Sequence, residues 1–405
     1  MSTPDLRSLI AAELPEIIDI RRDLHAHPEL GYEERRTCGV VVRELERLGV
    51  AHVAGLAGGT GIVAHLPATT ADGGGSAGAI ALRADMDALP IEERTGAPYA
   101  STRRGVMHAC GHDGHTAILI GVARVLSKVE HRPNPVTLIF QPAEEGGAGG
   151  RRMCEDGALL GESAGRIGLG PPVREIYGLH GWPLLPLGHV ATRPGPLLAA
   201  TDGFTIHVRG TQCHAAYPHL GRDPVVAAAA IVSALQTIPS RNASPLDSVV
   251  VTVGIIQGGT ARNIIPETVT LSGTVRTLRP ETRAMARERL FAVAQGVAAG
   301  MGCAAEVQWE EGYPVTRNDE GAAERFFAVA RRTLGDRRVG VVPEPSMGGE
   351  DFSFYGRHVP ACFFFLGLLP EGEASMPSLH QPEFDFNDEA LPIGIETMCA
   401  LALAK

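Results

Sequence analysis

The apolar residues recur in two different periods along the first half of the chain, and their order predicts the architecture. Spacings of three and four residues predict amphipathic helices at 5–24 and 33–48, the second of which ends at Gly49. A further helix is predicted at 113–130, and a flexible connection at 71–78. Short apolar runs predict buried strands at 61–66, 79–84, 136–140 and 175–180. Strands that alternate with helices are typical of an α/β fold, with a mainly parallel sheet and helices on both faces.

The pattern changes between residues 197 and 311, where the predicted order is β-α-β-β-α-β. This is the order of a ferredoxin-like α+β sandwich, and the stretch has the size of a small domain. After it, a helix at 318–335, a strand at 361–367 and a closing helix near 387–404 return to the α/β pattern. We therefore expect a catalytic domain of residues 1–195 and 312–405, interrupted by an inserted domain of residues 196–311.

Composition and charge narrow the class of protein. The chain has 405 residues, of which 44% are hydrophobic and 20% charged, as in ordinary globular proteins with more than one domain.

No apolar run reaches the roughly 18 residues of a membrane span, and the first residues lack an export signal, so we expect a cytoplasmic protein with no membrane partner. The net charge of −10 and the lack of a basic stripe argue against nucleic acid as a partner. The seven cysteines form no CxxC pair, which predicts reduced thiols.

The scarcity of lysine excludes further classes of site. Lys128 and Lys405 are the only lysines, and neither lies in a GxxxxGK loop, which excludes a P-loop nucleotide site. A Schiff base, or a metal site built on a modified lysine, would have to use Lys128. That residue is predicted to lie on the surface at a helix end.

Side chains that can bind metal stand at the ends of several predicted elements. Five of them follow or end a predicted strand, namely Asp85, Asp87, Glu144, Glu145 and His180. Five more precede a predicted helix, namely His108, Cys110, His112, Asp113 and His115, and His380 lies near the C-terminus. Ligands of open α/β sheets bind at the carboxyl ends of the strands. Thiolate, imidazole and carboxylate together suit zinc, manganese or a similar divalent ion. Paired glutamates fit a dinuclear hydrolase, in which one binds metal and the other acts as base.

Two other motifs resemble catalytic motifs, but their sequence context argues against a catalytic role. His25 and His27 resemble the HxH of barrel-type amidohydrolases, but they lie at a predicted helix end and we interpret them as structural. GESAG at 161–165 matches the GxSxG nucleophile elbow with Ser163 as the nucleophile. That motif needs a strand before it and a helix after it, and the glycines and prolines at 168–172 forbid the helix.

The motifs taken together resemble a known family. RRDLHAHPELGYEE, LRADMDALPIEE, MHACGHDGHTAILIG, FQPAEEGGAGG, GLHGWP, ARNIIPE, MGGEDFSFY and LHQPEFDFND occur in the order expected of the amidohydrolase branch of the aminoacylase/carboxypeptidase metallopeptidase family. This branch includes hippurate hydrolases, N-acyl-amino-acid amidohydrolases and plant auxin-conjugate hydrolases. The resemblance covers nearly the whole chain.

The resemblance implies two divalent metal ions per subunit, zinc or manganese, with nickel or cobalt as further options. The implied ligands are Cys110, which would bridge the ions, and His112, Glu145, His180 and His380. Glu144 would be the general base, and Asp87 would orient a ligand. The inserted domain would act as a lid and a dimerisation surface, and it would contribute His214 to the oxyanion and Asn263 and Arg276 to substrate binding. The protein would form a dimer or tetramer, in which His214 acts in its own or a neighbouring subunit.

The sequence departs from the wider family at three places, which are Asp85, the bridging Cys110 and the lid motif. Wider relatives carry a histidine where Asp85 stands and an aspartate as the bridging ligand. Their lid motif is glycine-rich before the histidine, whereas this chain has Thr211, Gln212 and Cys213 at those positions.

We therefore expect a metal-dependent amidohydrolase that cleaves a small-molecule substrate, an N-acyl or N-aroyl amino acid of the hippurate type, to a carboxylic acid and an amino acid. Three alternatives remain open on the sequence. They are a dipeptidase or carbamoyl-amide hydrolase of the same fold, a serine esterase that uses Ser163, and a non-enzymatic metal- or ligand-binding protein.

Overall fold

The computed structural model describes residues 5–69 and 78–404, and these residues form two compact units. The second unit consists of Leu198–Thr316 and Pro345–Glu350, and the rest of the described chain forms the first. The connection predicted at 71–78 lies outside the described residues, apart from Gly78. Within these ranges no helix has the length and apolar character needed to cross a bilayer.

Helices and strands alternate along most of the chain. The helices before residue 198 are α1 (Leu6–Ala26), α2 (Arg35–Arg47), α3 (His112–Lys128) and α4 (Gly149–Glu155). The strands of the same part are β1 (Ala51–Leu56), β2 (Gly61–Leu66), β3 (Ala79–Asp85), β4 (Val136–Gln141), β5 (Val173–Pro186), β6 (Val190–Thr192) and β7 (Gly195–Leu198). The second unit contains β8 (Ala200–Arg209), β9 (Cys213–His214), α5 (Pro224–Leu235), β10 (Val249–Gly258), β11 (Ile264–Ile265), β12 (Thr268–Thr277), α6 (Pro280–Gly300) and β13 (Ala304–Glu311). The chain continues with β14 (Thr316–Asn318), α7 (Glu320–Leu334), β15 (Val339–Val341), β16 (Ala361–Leu369) and α8 (Leu391–Leu403).

The first unit is built on a sheet with the strand order β1-β2-β4-β3-β5-β16-β6-β15. Strands β4, β3, β5 and β16 at its centre are mutually parallel, whereas β1, β2 and β4 pair antiparallel at one side, as do β16 and β6 at the other. Every residue of β3 and β4 is buried, as expected of strands covered on both faces. The predicted α/β class with a mainly parallel sheet is confirmed.

The two faces of this sheet are covered differently. Alternate residues of the strands, such as Leu82 and Phe364, join one apolar core with helices α1, α3, α7 and α8. Phe363 points to the opposite face, where its ring lies 4.9 Å from that of Phe352 in the 3-10 helix Asp351–Arg357. Short helical segments therefore cover the second face, and they lie close to the carboxyl ends of the central strands.

The second unit is an antiparallel sheet with the strand order β10-β12-β8-β13. Its core joins Phe204, Ile206 and Val208 of β8 to Ile231 of α5 and Leu290 of α6. The order β8-α5-β10-β12-α6-β13 is the predicted β-α-β-β-α-β. The residues of β8 alternate between buried and partly exposed, because only one face of this sheet packs against helices.

Several short elements were not predicted from the hydrophobic pattern. The strands β6, β7, β9, β11, β14 and β15 have two to four residues each, which is too short to show a hydrophobic period. Strand β1 has six residues, but it is an edge strand with mostly exposed or half-buried residues, and its sequence AHVAGL contains no continuous apolar run. Helix α4 was missed because it begins in a glycine-rich sequence that is typical of a loop.

Candidate metal centre

The predicted ligands lie around the carboxyl end of β3, although His180 lies within β5, which continues to Pro186 instead of ending at His180 as predicted. Strand β3 ends at Asp85, and it lies between β4, which leads to Glu144 and Glu145, and β5, which contains His180. Helix α3 begins at His112 beside them. Because parallel strands present their carboxyl ends at one edge of a sheet, this topology brings together groups that are far apart in the sequence.

All five predicted metal ligands belong to two overlapping groups. Cys110, His112 and His180 offer ligand atoms that lie within 4.8 Å of one another, and the same holds for Cys110, Glu145 and His380. The Sγ of Cys110 lies 3.4 Å from Nε2 of His180, and Nε2 of His380 lies 3.1 Å from a carboxylate oxygen of Glu145. Cys110 is common to both groups, so its sulfur has the position that a bridging ligand requires.

Two histidines are held in the orientation that a ligand needs. The Nδ1 of His112 lies 2.9 Å from the carbonyl oxygen of Asp87, and the Nδ1 of His180 lies 2.8 Å from that of Gly181. A backbone carbonyl accepts only from a protonated nitrogen, so Nδ1 carries the proton of the neutral ring and Nε2 is the atom that can bind an ion. The Nε2 of His112 is buried without a hydrogen bond to the described residues, which suits a metal ligand.

His115 belongs to the same cluster, but both of its ring nitrogens are occupied. Its Nδ1 lies 2.7 Å from Asp85, and its Nε2 accepts a hydrogen bond of 2.8 Å from the backbone nitrogen of Gly181. Asp85 is also paired with Arg83 at 2.6 Å. His115 therefore supports the backbone beside His180 rather than offering a lone pair to an ion.

Asp87 holds the pair of adjacent glutamates through their backbone. Its two carboxylate oxygens accept from the nitrogens of Glu144 and Glu145, at 3.0 and 2.9 Å. The Nδ1 of His112 lies 3.3 Å from the same carboxylate. One side chain thus contacts both a predicted ligand and the loop that carries the predicted base.

Glu144 is buried next to the predicted ligands. It shares a group of atoms within 4.8 Å with His112 and Glu145. One of its carboxylate oxygens accepts a hydrogen bond of 3.2 Å from the backbone nitrogen of Asp351. A buried carboxylate beside a candidate ion site has the location that a general base requires.

His380 differs from the other predicted ligands because its side chain is half exposed. Its φ angle of 65° lies in the left-handed region, which is uncommon for a residue other than glycine. The backbone nitrogen of His380 donates a hydrogen bond of 2.8 Å to the carbonyl of Ala109, next to Cys110. This bond fixes the loop of His380 to the segment that carries the cysteine.

The electrostatics of the cluster favour a cation. Burial raises the pKa of the Cys110 thiol well above its ordinary value, and Glu145 and Glu144 raise it further. Burial would lower the pKa of His112, but Asp85 and Asp87 raise it to about 10. The buried carboxylates make a negatively charged thiolate unfavourable and a positively charged imidazole favourable. The cluster is therefore a site for positive charge. The residues present therefore fit divalent ions, which would also stabilise the thiolate.

Three predicted site residues lie in the second unit. His214 and Asn263 are neighbours, because β9 pairs with β11 and the nitrogen of Ala215 donates to the carbonyl of Asn263 at 2.9 Å. His214 is exposed, and its Nδ1 accepts from the backbone nitrogen of Ala216 at 3.0 Å. Arg276 lies on β12 and is half-buried.

The residues with a structural interpretation lie outside the two ligand groups. His25 is buried between Asp113, at 2.8 Å, and Glu93, at 3.3 Å; burial would lower its pKa, but Asp113 and Glu93 raise it to about 9. Ser163 ends the 3-10 helix Gly161–Ser163, which no strand precedes, so the elbow geometry is missing. Lys128 is half exposed and pairs with Glu13.

Two groups that hold the glutamate loop were not predicted from the sequence. The backbone nitrogen of Asp351 donates to Glu144, and the carboxylate of Glu34 accepts from the nitrogen of Ala143. Glu34 lies in the amphipathic helix predicted at 33–48, and the motif RRDLHAHPELGYEE, which ends at Glu34, was the only signal that could have singled it out.

Comparison with known proteins agrees with this geometry. The model of the peptidase family M20/M25/M40 matches residues 81–404, and the chain belongs to this family. It is 41% identical over 378 residues to an N-acetyl-L-cysteine deacetylase of Bacillus subtilis, which covers 93% of this chain and 85% of that protein. It is 39% identical over 391 residues to the IAA-amino acid hydrolase ILR1-like 4 of Arabidopsis thaliana, with 95% and 84% covered.

A solved structure supports the class of site. The YXEP protein of Bacillus subtilis, described as a dinuclear metal binding peptidase from the M20 family, is 35% identical, covers 97% of this chain and 98% of its own, and has a TM-score of 0.81. The protein is thus a metal-dependent hydrolase of amide bonds, of the dinuclear amidohydrolase class. This class excludes the non-enzymatic alternative.

The position of Cys110 can be tested by spectroscopy without any assay of activity. Cobalt(II) added to chelator-treated protein should produce a near-ultraviolet charge-transfer band, because a coordinating thiol is deprotonated outright. The band should be absent in Cys110→Ser and retained in Cys154→Ser, a half-buried cysteine outside the ligand groups. A band of full intensity in Cys110→Ser would show that another cysteine binds the ion.

Proposed function

We propose that the enzyme hydrolyses N-acyl or N-aroyl amino acids, hippurate-like compounds among them, to a carboxylic acid and a free amino acid. The observation that carries this proposal is the pair of ligand groups that share Cys110, with the buried carboxylate of Glu144 beside them. The names of the relatives support the substrate class, since they include an N-acetyl-L-cysteine deacetylase, an IAA-amino acid hydrolase and an N-acetyldiaminopimelate deacetylase.

The proposed ligands of two divalent ions are Cys110, His112, Glu145, His180 and His380. Zinc and manganese are the preferred candidates for these ions. When bound, such ions would polarise the amide carbonyl and lower the pKa of water. A thiolate with three imidazoles and a carboxylate is a donor set that suits zinc, and nickel or cobalt would also accept it. All seven cysteines are free of disulfide bonds, which is typical of the cytoplasmic location that we propose.

Glu144 is the proposed proton carrier. Its carboxylate takes a proton from water while the water oxygen forms a bond to the amide carbonyl carbon. It then delivers the proton to the amide nitrogen, the carbon–nitrogen bond breaks, and a free amine leaves with the acid. Asp87 and the backbone nitrogen of Asp351 keep this carboxylate in place during both transfers.

The second unit is the proposed lid, with residues 196–311 as the inserted domain and residues 1–195 and 312–405 as the catalytic domain. His214 is proposed to stabilise the oxyanion, in its own or a neighbouring subunit, and Asn263 to bind the carbonyl. Arg276 is proposed to bind the substrate carboxylate. Burial lowers the pKa of Arg276 below its ordinary value despite Asp202, and its guanidinium makes no ion pair within the part of the chain that the structure describes. Such an arginine favours an anionic ligand.

Replacing the proposed base tests the mechanism. Glu144→Gln should lower kcat about 10² to 10⁴-fold, because an amide cannot take the proton from water. Metal content, measured by elemental analysis, should stay at two ions per chain. Glu155→Gln, an exposed glutamate of α4, is the matched control and should retain turnover. Full turnover of Glu144→Gln would end this assignment.

Arg276 provides a test of the substrate class. Arg276→Gln should lower kcat/KM for hippurate by about 30-fold or more, since a lost contact to a buried charge costs about 2–5 kcal/mol. The same variant should hydrolyse the amide of hippurate, which lacks the carboxylate, as the parent does. Arg209→Gln, an exposed residue of β8, is the control. The parent enzyme should also be assayed with acetylated amino acids, dipeptides and carbamoyl amino acids. If it preferred dipeptides or carbamoyl amino acids, the proposed substrate class would be wrong.

We also propose a homo-oligomer, a dimer or tetramer. Strand β10 is an edge of its sheet and carries no charged residue, and Val250, Ile255 and Ile256 on it are exposed. Uncharged apolar edge strands readily pair with another chain.

Light scattering tests this surface. The parent protein should have a multiple of the chain mass of 42.7 kDa, and Ile256→Lys should lower it, because a lysine at the edge opposes strand pairing. Gln308→Lys adds the same charge to the opposite edge strand, β13, and should leave the mass unchanged. A parent protein of 42.7 kDa would contradict the proposal.

A further inference from the structure

The loop that carries Glu144 has a backbone conformation that requires support from outside the loop. Ala143 has a φ angle of 54° and Ala148 one of 55°, both in the left-handed region. For residues with a side chain, this region costs about 1–2 kcal/mol each. Hydrogen bonds within the loop join Gly146 to Glu144 and Gly149 to Ala143. Neither of these bonds uses the backbone nitrogen of Ala143, which directly precedes the proposed base, so this donor is available to a group outside the loop.

One such contact comes from a segment more than a hundred residues earlier. A carboxylate oxygen of Glu34 accepts a hydrogen bond of 2.8 Å from the backbone nitrogen of Ala143. The other oxygen accepts from the hydroxyl of Thr60, also at 2.8 Å. The Glu34 side chain is fully buried, and both of its oxygens are thus used.

Two carboxylates together bind three consecutive backbone nitrogens of the loop. Glu34 accepts from Ala143, and Asp87 accepts from Glu144 and Glu145. Glu34 therefore does for the residue before the proposed base what Asp87 does for the base itself. Three donors fixed in succession determine the direction in which the Glu144 side chain leaves the backbone.

The neighbours of Glu34 make further contacts with the same loop. The hydroxyl of Tyr32 donates a hydrogen bond of 2.5 Å to the carbonyl of Gly147. A Cβ atom placed on Gly31 would lie 3.1 Å from the Cα of Ala143, so the two backbones approach closely. Residues 31–34, which we call the clamp segment, thus contact the loop on both sides of Glu144.

A purely structural role for Glu34 is poorly supported. Glu34 is the N-cap residue of α2, but its side chain makes no capping hydrogen bond to that helix. Burial raises the pKa of its carboxyl to about 7, and Asp87 raises it as well. A buried acid must be hydrogen-bonded, and the hydrogen bonds of Glu34 go to Thr60 and to the loop of Glu144 instead of to α2.

We propose that Glu34 is a positioning residue for hydrolysis, and that its carboxylate, through the nitrogen of Ala143, fixes the loop that presents Glu144 to water. This inference rests on the proposed function, in which Glu144 is the base. Glu34 is not one of the proposed metal ligands, and its proposed action is on the backbone of the loop.

The test compares two variants that remove the hydrogen bond with one that keeps it. Glu34→Ala and Glu34→Met, assayed at saturating metal, should lower kcat about 100-fold, the cost expected when a catalytic group is misplaced by about 1 Å. KM should stay within about twofold. Glu34→Gln should retain most of the turnover, because its amide oxygen can still accept from Ala143. Glu33→Ala changes the adjacent exposed residue, which pairs with Arg103 at the surface, and should behave as the parent.

Hydrogen exchange gives a readout that does not depend on activity. In the metal-free protein, the amides of residues 143–145 should exchange faster in Glu34→Met than in the parent or in Glu34→Gln. Glu34→Met is included because it conserves volume and buries no charge, so it should fold even if the alanine variant does not. Parent-like kcat in Glu34→Met, or reduced kcat with unchanged exchange at 143–145, would overturn the proposal.

The Glu144 variant separates this inference from the proposed function. If Glu144→Gln is inactive and Glu34→Met is fully active, only the positioning role fails. If Glu144→Gln is active, the base assignment fails and the positioning role with it. If Glu34 acts through Glu144, Glu34→Met/Glu144→Gln should have the same residual turnover as Glu144→Gln, because residues that act as a unit are not additive.

Discussion

The requirement for positive charge at the carboxyl ends of β3 and β4 is the constraint on which the site depends. Carboxylates of Asp85, Asp87, Glu144 and Glu145 meet there in a largely buried space, and Arg83 neutralises only part of this charge, through Asp85 and Asp351. Buried carboxylates are costly unless they are paired, so cations bound within this cluster would stabilise the folded protein. Metal binding and folding are therefore expected to be coupled in this enzyme.

Around the proposed ligands and base, hydrogen bonds between side chains and backbone groups hold both in place. Carbonyl groups orient His112 and His180 through their Nδ1 atoms. Carboxylates hold the backbone nitrogens of the glutamate loop. Because the carbonyls and amides belong to a packed sheet and its loops, each ligand or base has one position before substrate arrives, which is the condition for electrostatic catalysis.

The sequence predicted the long elements and the chemical types of the site, but not its supporting contacts. Helices α1, α3 and α6 and strands β3, β4 and β12 contain enough residues to show a period or a continuous apolar run. The two-residue strands β9 and β11, which place His214 next to Asn263, contain no period at all. Glu34 is separated by 109 residues from Ala143, its hydrogen-bond partner, and nothing local distinguishes it from the exposed Glu33. Contacts over such distances depend on sheet order, which hydrophobic patterning does not specify.

By itself, the sequence determined the order of the long helices and strands, the mixed thiol, imidazole and carboxylate composition of the site, and the lack of any lysine suited to other chemistries. These properties depend on residue identity and local spacing. Only the tertiary structure decided which of the neighbouring histidines has a lone pair available. His112 and His115 share one helical turn, yet His115 is taken up by Asp85 and Gly181 whereas Nε2 of His112 is left for an ion. The reason is geometric, because the partners of the two rings come from β3, from Asp87 just after it and from β5, and their position beside α3 is fixed only when the parallel strands pair.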